Sequence, residues 1–249
     1  MTKPAILAAG IGLAGALLLG LGVVLDGPAR WLVWWVALSC IAASAAYGAN
    51  WPGVYGKRDG VVVWWRALPL LPYLGAYWIA TLVRKLLRDY PSYEEVAPGL
   101  YVGGRVPARK LPHGVARIVD LTAEMPIRRE IRRMAGYRGH PVLDGSFPHD
   151  EEAFLALVWE VGSVEGAVYV HCESGVGRAP TAAAVVLLAR GIVDGADAAI
   201  ELVKKGRPAA APTLSDLRFV ERMARRIRSA AAAPGAATAS PGRAAGRAA

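Results

Sequence analysis

Cys172 stands in a glycine-rich stretch that an arginine, Arg178, closes six residues later. Residues 167–170 before it form a short apolar run typical of a buried strand, and an apolar helical pattern follows from Thr181. Such a strand–loop–helix unit turns loop N–H groups and a helix N-terminus toward one point, which suits a phosphate group. The helix N-terminus and Arg178 would also favour the thiolate form of Cys172, so the stretch predicts a nucleophile beside a bound phosphate.

A buried structural cysteine is the competing interpretation of Cys172, because free cysteines often pack in protein cores. Here, however, the residues from His171 to Arg178 fit the pattern H-C-x-x-G-x-x-R, with four fixed positions in one short stretch. The flanking strand and helix patterns supply the context that this motif requires. The phosphate-binding interpretation is therefore favoured.

The stretch from His171 to Arg178 resembles the signature loop of the cysteine-dependent protein-tyrosine and dual-specificity phosphatases. As an order of elements, the resemblance extends over roughly residues 93–228. It implies a phosphoric monoester hydrolase that needs no cofactor. The alternation of short apolar strands and helices indicates an α/β fold, a layered domain with a mostly parallel central sheet flanked by helices.

By this resemblance, Cys172 attacks phosphorus to form a phosphocysteine. The phosphate oxygens are held by Arg178 and by backbone N–H groups of the loop. The phosphate-binding positions are Glu173, Ser174, Gly175, Val176, Gly177 and Arg178. His171 is expected to orient the loop and to support the thiolate.

The resemblance also requires a carboxylic acid that protonates the leaving oxygen as the P–O bond breaks. Asp144 follows a strand-like run at 141–143 and opens the sequence Asp-Gly-Ser-Phe-Pro, where similar family members place their general acid in a D-G-x-x-P loop. Asp150 is the alternative. Together with the two glutamates after it, Asp150 is more typical of a helix N-terminus, where acidic residues are favourable.

Ala179 departs from the family pattern, because most members carry Ser or Thr directly after the arginine. That hydroxyl stabilises the leaving thiolate in the second step. The same Arg-Ala-Pro sequence occurs in the phosphatases of regenerating liver, so the resemblance implies slow hydrolysis of the phosphocysteine. Thr181, two residues further on, is a candidate substitute for the missing hydroxyl.

The composition limits the other classes of function. The four histidines are scattered and only one adjoins a cysteine, so no metal site is predicted. The formal net charge of +9 occurs without a nucleic-acid-binding motif, so no nucleic-acid partner is predicted. A basic chain is suited to anionic lipid surfaces or anionic substrates.

Residues 1–90 are predicted to form a membrane region. Residues 5–25 and 31–49 are uncharged apolar runs, each long enough to cross a bilayer as a helix. Residues 61–83 are also apolar but contain an arginine and two prolines, which leaves a third span or an interfacial segment open, the latter slightly preferred. In either arrangement the basic residues place the following domain in the cytosol.

The remaining boundaries follow from composition and pattern. Residues 91–230 are predicted to form the catalytic domain, with a basic helix over Met125–Ala135 and a last helix that Ser215 caps. Residues 231–249 contain Ala, Gly, Pro, Ser, Thr and Arg and are predicted to be a disordered tail.

Together these features predict a phosphatase anchored in the cell membrane with a cytoplasmic catalytic domain. Phosphotyrosine, phosphoserine and phosphothreonine of proteins are the first substrate candidates, and a phospholipid headgroup is the alternative. Glu173, Ser174 and Val176 occupy loop positions where phosphatases of highly charged lipids often carry Lys or Arg. A slow or inactive protein that only binds phosphorylated partners is the second alternative. The predicted partners are the phosphorylated substrate and membrane lipids, and the oligomeric state stays open.

Overall fold

The computed structural model describes residues 3–134 and 136–232. It opens with two long apolar helices, α1 (Lys3–Val24) and α2 (Ala29–Gly48). Both are long and apolar enough to cross a membrane, as judged by length and composition. Only 11% of the most apolar window of α1 and 28% of that of α2 is buried inside the protein, so most of their apolar surface faces outward.

The two helices pack against each other through small residues. A Cβ at Gly15 would come within 2.8 Å of the Ile41 side chain. The Ser44 hydroxyl donates a hydrogen bond across the pair to the Ala8 carbonyl at 2.7 Å. Small residues at such contacts allow two helix backbones to approach closely.

An irregular segment follows α2. In chain order it contains a 3-10 turn (Pro52–Tyr55), β1 (Lys57–Arg58), β2 (Val61–Val62), α3 (Trp64–Ala67), a second 3-10 turn (Leu68–Leu70) and α4 (Leu71–Leu87). The apolar stretch 61–83 is therefore not one continuous helix. Its prolines, Pro69 and Pro72, lie near the starts of the second 3-10 turn and of α4, where a missing N–H is tolerated.

The part of the chain after α4 is built on a five-stranded sheet. Its strands are β3 (Tyr93–Ala97), β4 (Leu100–Gly103), β5 (Val115–Thr122), β6 (Tyr137–Val142) and β7 (Ala167–His171). The spatial order is β3-β4-β7-β5-β6, and every neighbouring pair is parallel except the β3–β4 hairpin. The α/β fold with a mostly parallel central sheet is thus confirmed.

The helices of this domain are α5 (Arg129–Arg132), α6 (Glu151–Gly162), α7 (Arg178–Ala189), α8 (Ala196–Gly206) and α9 (Leu214–Ala232). Along β7, Val168 and Val170 point into the main core with α6 to α9, whereas Tyr169 points to the opposite face. Because α7 is buried along almost its whole length, its N-terminus is held firmly at the end of the central strand.

The predicted helix over Met125–Ala135 is wrong: only α5, four residues long, forms within its described part. The reason is tertiary. The Ile127 N–H donates to the Gly60 carbonyl in the β1–β2 turn at 2.8 Å, and Ile127 and Ile131 are buried in a cluster beside the sheet. These contacts and Pro126 leave room for a single helical turn.

The start of the last helix also differs from the prediction. α9 begins at Leu214, and Thr213, not Ser215, makes the capping contacts. The Asp216 carboxylate accepts from the Thr213 N–H at 2.8 Å, and the Thr213 hydroxyl lies 3.4 Å from the Asp216 N–H, a reciprocal capping pair. The first two residues of the predicted tail, 231 and 232, belong to α9, and the rest of that tail lies outside the described residues.

Candidate active site

The loop after β7 surrounds a buried sulfur. Cys172 is 2% exposed, and its Sγ accepts a hydrogen bond from the Gly175 N–H at 3.3 Å. Gly175 has φ +73°, and a Cβ there would collide with the backbone of Gly103 on β4. The loop can therefore close around the sulfur only with glycine at this position. The sulfur receives this amide N–H just before the N-terminus of α7, at the positive end of that helix.

Arg207 holds the loop from behind. Its side chain is fully buried; Nε donates to the Gly175 carbonyl at 2.5 Å and Nη2 to the Ser174 carbonyl at 3.2 Å. Nη1 donates to Glu94 Oε2 at 3.0 Å, which secures the guanidinium on β3. Since the carbonyls point toward Arg207, the loop amides are free to point the other way. Sequence reasoning missed this residue, whose only signal was its place in a Gly-Arg-Pro break.

The other predicted loop positions have partners outside the loop. The Glu173 carbonyl accepts from the Arg105 N–H at 3.0 Å, and its carboxylate lies 3.6 Å from the Arg105 guanidinium. The Val176 carbonyl accepts from the Ala211 N–H at 3.0 Å, and the Gly177 carbonyl accepts from the first turn of α7. The loop is thus fixed by its carbonyls along its whole length.

Arg178 is the first residue of α7, and its side chain is buried. Nη1 donates to Glu124 Oε2 at 2.9 Å and to the Val142 carbonyl at 2.5 Å, and Nη2 lies 3.3 Å from Asp144 Oδ1. Burial lowers the pKa of Arg178, but attraction to Glu124 and Asp144 more than offsets this and raises the pKa above its usual value. Within the described part of the chain, the buried Nε has no hydrogen-bond partner.

Glu124 is the central carboxylate of the site, and sequence reasoning missed it. Its side chain is completely buried; Oε2 accepts from Arg178, and Oε1 accepts from the Asp144 N–H at 2.6 Å. One carboxylate therefore sets the positions of both Arg178 and Asp144. Its signal in the sequence was an acidic residue two positions after the end of a buried parallel strand, where ligand sites of α/β sheets gather.

The structure separates the two candidates for the general acid. Asp144 lies in the turn after β6, beside Arg178, with its side chain 38% exposed. Asp150 instead caps α6, where its Oδ1 accepts from the Ala153 N–H at 2.9 Å. Asp144 is therefore the carboxylate that lies near the loop and can exchange protons with solvent.

Tyr77, on α4, also reaches the site. Its hydroxyl lies 3.4 Å from Asp144 Oδ2 and 3.4 Å from Arg178 Nη2, and the neighbouring Trp78 indole donates to the Glu124 carbonyl at 3.0 Å. Burial, reinforced by Glu124, raises the pKa of Tyr77 well above its usual value, so its hydroxyl is a neutral donor. Sequence reasoning missed Tyr77 because it lies within the apolar stretch 61–83, which is predicted to belong to the membrane region.

His171 ends β7 above a buried ion pair. Lys57 Nζ donates to Asp120 Oδ2 at 2.7 Å and to the carbonyl and hydroxyl of Thr122 at 2.6 and 2.7 Å. Burial lowers the pKa of His171, and the opposing effect of Asp120 does not overcome it. His171 is therefore a neutral, buried ring whose Nδ1 lies 3.2 Å from the Cys172 carbonyl. It supports the loop from below.

The first turn of α7 offers no replacement for a hydroxyl after the arginine. Ala179 is fully buried. The Thr181 hydroxyl lies 2.9 Å from Asp216 Oδ1 and 3.1 Å from the Gly177 carbonyl. These contacts direct it toward α9 and its own helix, and across the described residues only the Gly175 N–H bonds to the Cys172 sulfur.

A cysteine loop, a fixed arginine and a neighbouring carboxylate on this α/β sheet define the class of cysteine-dependent phosphatases. Residues 106–232, just over half of the chain, match the family described as Swiss Army Knife protein, DSP-PTPase phosphatase domain. The chain belongs to this family, and it is a phosphoric monoester hydrolase. The resemblance found in the sequence is confirmed.

Several solved structures are similar to the catalytic part. PTPMT1 in complex with PI(5)P is 17% identical, with a TM-score of 0.47 over 57% of this chain and 100% of that chain. Tk-PTP in the active form is 20% identical, with a TM-score of 0.48 over 55% and 99%. Human DUSP28 is 22% identical, with a TM-score of 0.41 over 55% and 97%. None of the curated proteins compared matches significantly in sequence.

Proposed function

We propose that the chain hydrolyses phosphate monoesters through a phosphocysteine, with Cys172 as nucleophile, Arg178 as phosphate-binding cation and Asp144 as general acid. The observation that carries this proposal is the state of Arg178. Glu124 fixes the guanidinium between the loop and Asp144, yet its buried Nε lacks a partner among the described residues. A buried, charged donor without an acceptor is costly, so the site is suited to an anion.

The chemistry runs in two balanced steps. The Cys172 thiolate attacks phosphorus and forms an S–P bond; the P–O bond to the alcohol breaks, and Asp144 gives its proton to the leaving oxygen. Water then attacks the phosphocysteine, Asp144 accepts the proton of that water, and the thiolate leaves. The net reaction is ester plus water to alcohol plus phosphate. Arg178 and the loop amides hold the phosphoryl oxygens in both steps.

The ion pair between Arg178 and Asp144 describes the site before substrate binds. A phosphate at the loop would compete with Asp144 for Arg178 Nη2 and would add negative charge beside the carboxylate. Substrate binding would therefore break this ion pair and free the Asp144 carboxyl group for the leaving oxygen.

This assignment is tested with p-nitrophenyl phosphate and the full chain in detergent micelles. Cys172→Ser should abolish turnover, and Asp144→Asn should reduce kcat by about 100-fold or more. The matched control is Asp150→Asn, which removes only a helix cap. Vanadate should inhibit the wild type. Residual activity of Cys172→Ser, or a larger loss in Asp150→Asn than in Asp144→Asn, would contradict the assignment.

We also propose that α1 and α2 anchor the enzyme in the cell membrane, with the catalytic domain on the cytoplasmic side. Support comes from the length and apolar character of the two helices and from the basic residues that follow them. The chain should stay in the membrane fraction after alkaline carbonate washing. In sealed cells, added protease should cleave the catalytic domain only after permeabilisation. Release by carbonate, or cleavage without permeabilisation, would refute this topology.

The third apolar segment supports placing the active site at the lipid surface. Five large apolar side chains of α4 recur at helical spacing and are 46–79% exposed: Ile79, Leu82, Val83, Leu86 and Leu87. The opposite stripe, with Tyr77 and Trp78, contacts the catalytic domain. At the start of α4, the Tyr73 N–H donates to Ser39 Oγ, midway along α2, at 3.1 Å. We therefore place the apolar face of α4 against the bilayer.

This placement favours a lipid phosphate monoester over a phosphoprotein as the substrate, because α4 contacts the site with one face and the bilayer with the other. The test compares phosphatidic acid in phosphatidylcholine vesicles with a phosphotyrosine peptide. A higher kcat/KM for the lipid supports the proposal, and a higher value for the peptide refutes the substrate class alone. Vanadate binding without turnover of either substrate or of p-nitrophenyl phosphate would identify a phosphate-binding protein instead.

A further inference from the structure

A pocket opens beside the signature loop. Its walls come from Thr81, Arg84 and Lys85 in the last turns of α4, from Arg88 directly after that helix, and from the loop residues Glu173 and Ser174. Glu173 and Ser174 thus border both this pocket and the signature loop. The chemistry described above makes no use of these three cations, Arg84, Lys85 and Arg88.

The charges in this pocket are unbalanced. Three cations meet one carboxylate, and that carboxylate, Glu173, faces Arg105 on the other side at 3.6 Å. Across the described residues, Lys85 has no hydrogen bond or ion pair. Burial lowers the pKa of Lys85, and the charges of Arg88, Arg105 and Arg128 lower it further against the opposing effect of Glu173. A neighbouring anion would relieve this repulsion.

The pocket has a fixed frame. Arg88 donates to Ser92 Oγ at 2.7 Å and lies over the Tyr90 ring, 5.8 Å from its centroid, which orders the guanidinium before any ligand arrives. Lys85 lies two helical turns beyond Tyr77 on the same face of α4, about 12 Å along the helix axis. The pocket is therefore adjacent to the phosphate site and distinct from it.

We propose that this pocket is a second anion subsite, which binds the phosphodiester of a phospholipid whose terminal phosphate monoester occupies the signature loop. The proposal rests on the function proposed above and names its substrate class: lipids that carry both a monoester and a diester. The cations that the loop interior lacks are supplied by α4. Because the apolar face of the same helix is turned to the bilayer, we expect the phosphodiester to belong to a lipid.

The test compares two lipids in phosphatidylcholine vesicles with the full-length protein. Phosphatidylglycerol phosphate carries a monoester and a diester, whereas phosphatidic acid carries the monoester alone. Arg84→Gln and Lys85→Gln should each raise KM for phosphatidylglycerol phosphate by a factor about tenfold larger than the factor for phosphatidic acid. Loss of one charge-assisted hydrogen bond predicts an effect of this size. Lys85→Arg should restore most of the difference. Arg58→Gln, an exposed basic residue of the same segment, is the matched control and should change neither KM.

The outcomes separate the failures. If the wild type turns over p-nitrophenyl phosphate but the two lipids respond equally to each variant, the cations bind bulk anionic headgroups and the subsite is refuted. If the Arg58→Gln control matches Lys85→Gln, the effect is one of general surface charge, and the subsite is refuted as well. A phosphotyrosine peptide with a higher kcat/KM than both lipids would refute the lipid assignment. Absence of all turnover would instead refute the proposed function.

Discussion

Two buried ion pairs near the end of β5 look alike and differ in what they leave unsatisfied. Lys57–Asp120 and Arg178–Glu124 have N–O distances of 2.7 and 2.9 Å, and in both the side chains are almost completely buried. Lys57 gives all its hydrogen bonds to Asp120 and Thr122. Arg178 keeps a buried Nε without a partner among the described residues. The closed pair is suited to stability, and the open one to binding.

Both pairs also join regions that are distant in sequence. Lys57 belongs to the segment that follows α1 and α2, and its ion pair with Asp120 attaches that segment to β5. Tyr77 of the same segment contacts Arg178 and Asp144. The segment between the candidate membrane helices and the α/β domain therefore contacts the candidate active site, and a boundary at residue 90 divides residues that pack together.

The largest effect is expected from breaking the closed pair. Lys57→Met leaves Asp120 buried without its counter-charge, which should lower the free energy of unfolding by about 3–5 kcal/mol. Thermal unfolding of the full chain in detergent measures this loss. The double variant Lys57→Met/Asp120→Asn should recover part of it, and Lys205→Met, an exposed lysine, is the control. An unchanged melting temperature for Lys57→Met would show that the pair is not structural.

Breaking the open pair should affect activity more than stability. Glu124→Gln keeps the shape but removes the charge that fixes Arg178, and it disturbs the acceptor of the Asp144 N–H. We expect kcat/KM for p-nitrophenyl phosphate to fall by about 100-fold, the size of one lost charged hydrogen bond. Glu160→Gln, which weakens ion pairs with Arg117 and Arg138 away from the site, should leave kcat/KM unchanged. Equal effects of the two variants would contradict the role of Glu124.

The second chemical step should respond to the residue after the arginine. Ala179→Ser supplies a donor for the leaving thiolate and should raise the rate of phosphocysteine hydrolysis on the order of tenfold. Stopped-flow measurements should show a burst in the wild type that becomes smaller in the variant. An unchanged steady-state rate would show that Ala179 does not limit turnover.

A smaller effect is expected at the contact from α4. Tyr77→Phe removes one neutral donor beside Arg178 and Asp144, and kcat should fall about threefold with little change in KM. Tyr101→Phe, on β4 away from the site, provides the comparison. Loss of membrane attachment or of folding in Tyr77→Phe, with no change in kcat of the folded fraction, would assign this residue to packing alone.

The smallest effect concerns pH. Because burial lowers the pKa of His171 in the folded state, the unfolded chain binds more protons once the pH falls below about 6.5. The free energy of unfolding should therefore decrease from about pH 7.5 to about pH 5.5, and His171→Gln should reduce that slope. The slope should not vanish, since burial also lowers the pKa of His140. A steeper dependence of the free energy of unfolding on pH in His171→Gln would contradict a lowered pKa of His171.

The local part of this structure could be predicted from the sequence. The strand, loop and helix around Cys172 follow one another directly, and the apolar spans and the β3–β4 hairpin have strong local patterns. Asp144 could be proposed as the general acid because it follows a strand within a recognisable turn. Each of these features depends on neighbours in the chain, which hydrophobic period and turn residues report.

The parts that were missed depend on distant contacts. Glu124, Arg207 and Tyr77 reach the site across 54, 32 and 101 residues, and no local pattern carries that information. The helix predicted over Met125–Ala135 failed for the same reason, since Ile127 gives its N–H to the β1–β2 turn. The apolar residues of α4 dominate its sequence and predict a membrane segment. They conceal the opposite face of the helix, which contacts the candidate active site.

The most direct test of the central claim is to trap the covalent intermediate. The full chain in detergent is mixed with an aryl phosphate labelled in its phosphate group, quenched in acid within the first turnover and digested for mass spectrometry. Label should be found on the peptide that contains Cys172, should be absent in Cys172→Ser, and should persist longer in the wild type than in Ala179→Ser. Turnover without label on Cys172, or label on another residue, would contradict a phosphocysteine mechanism.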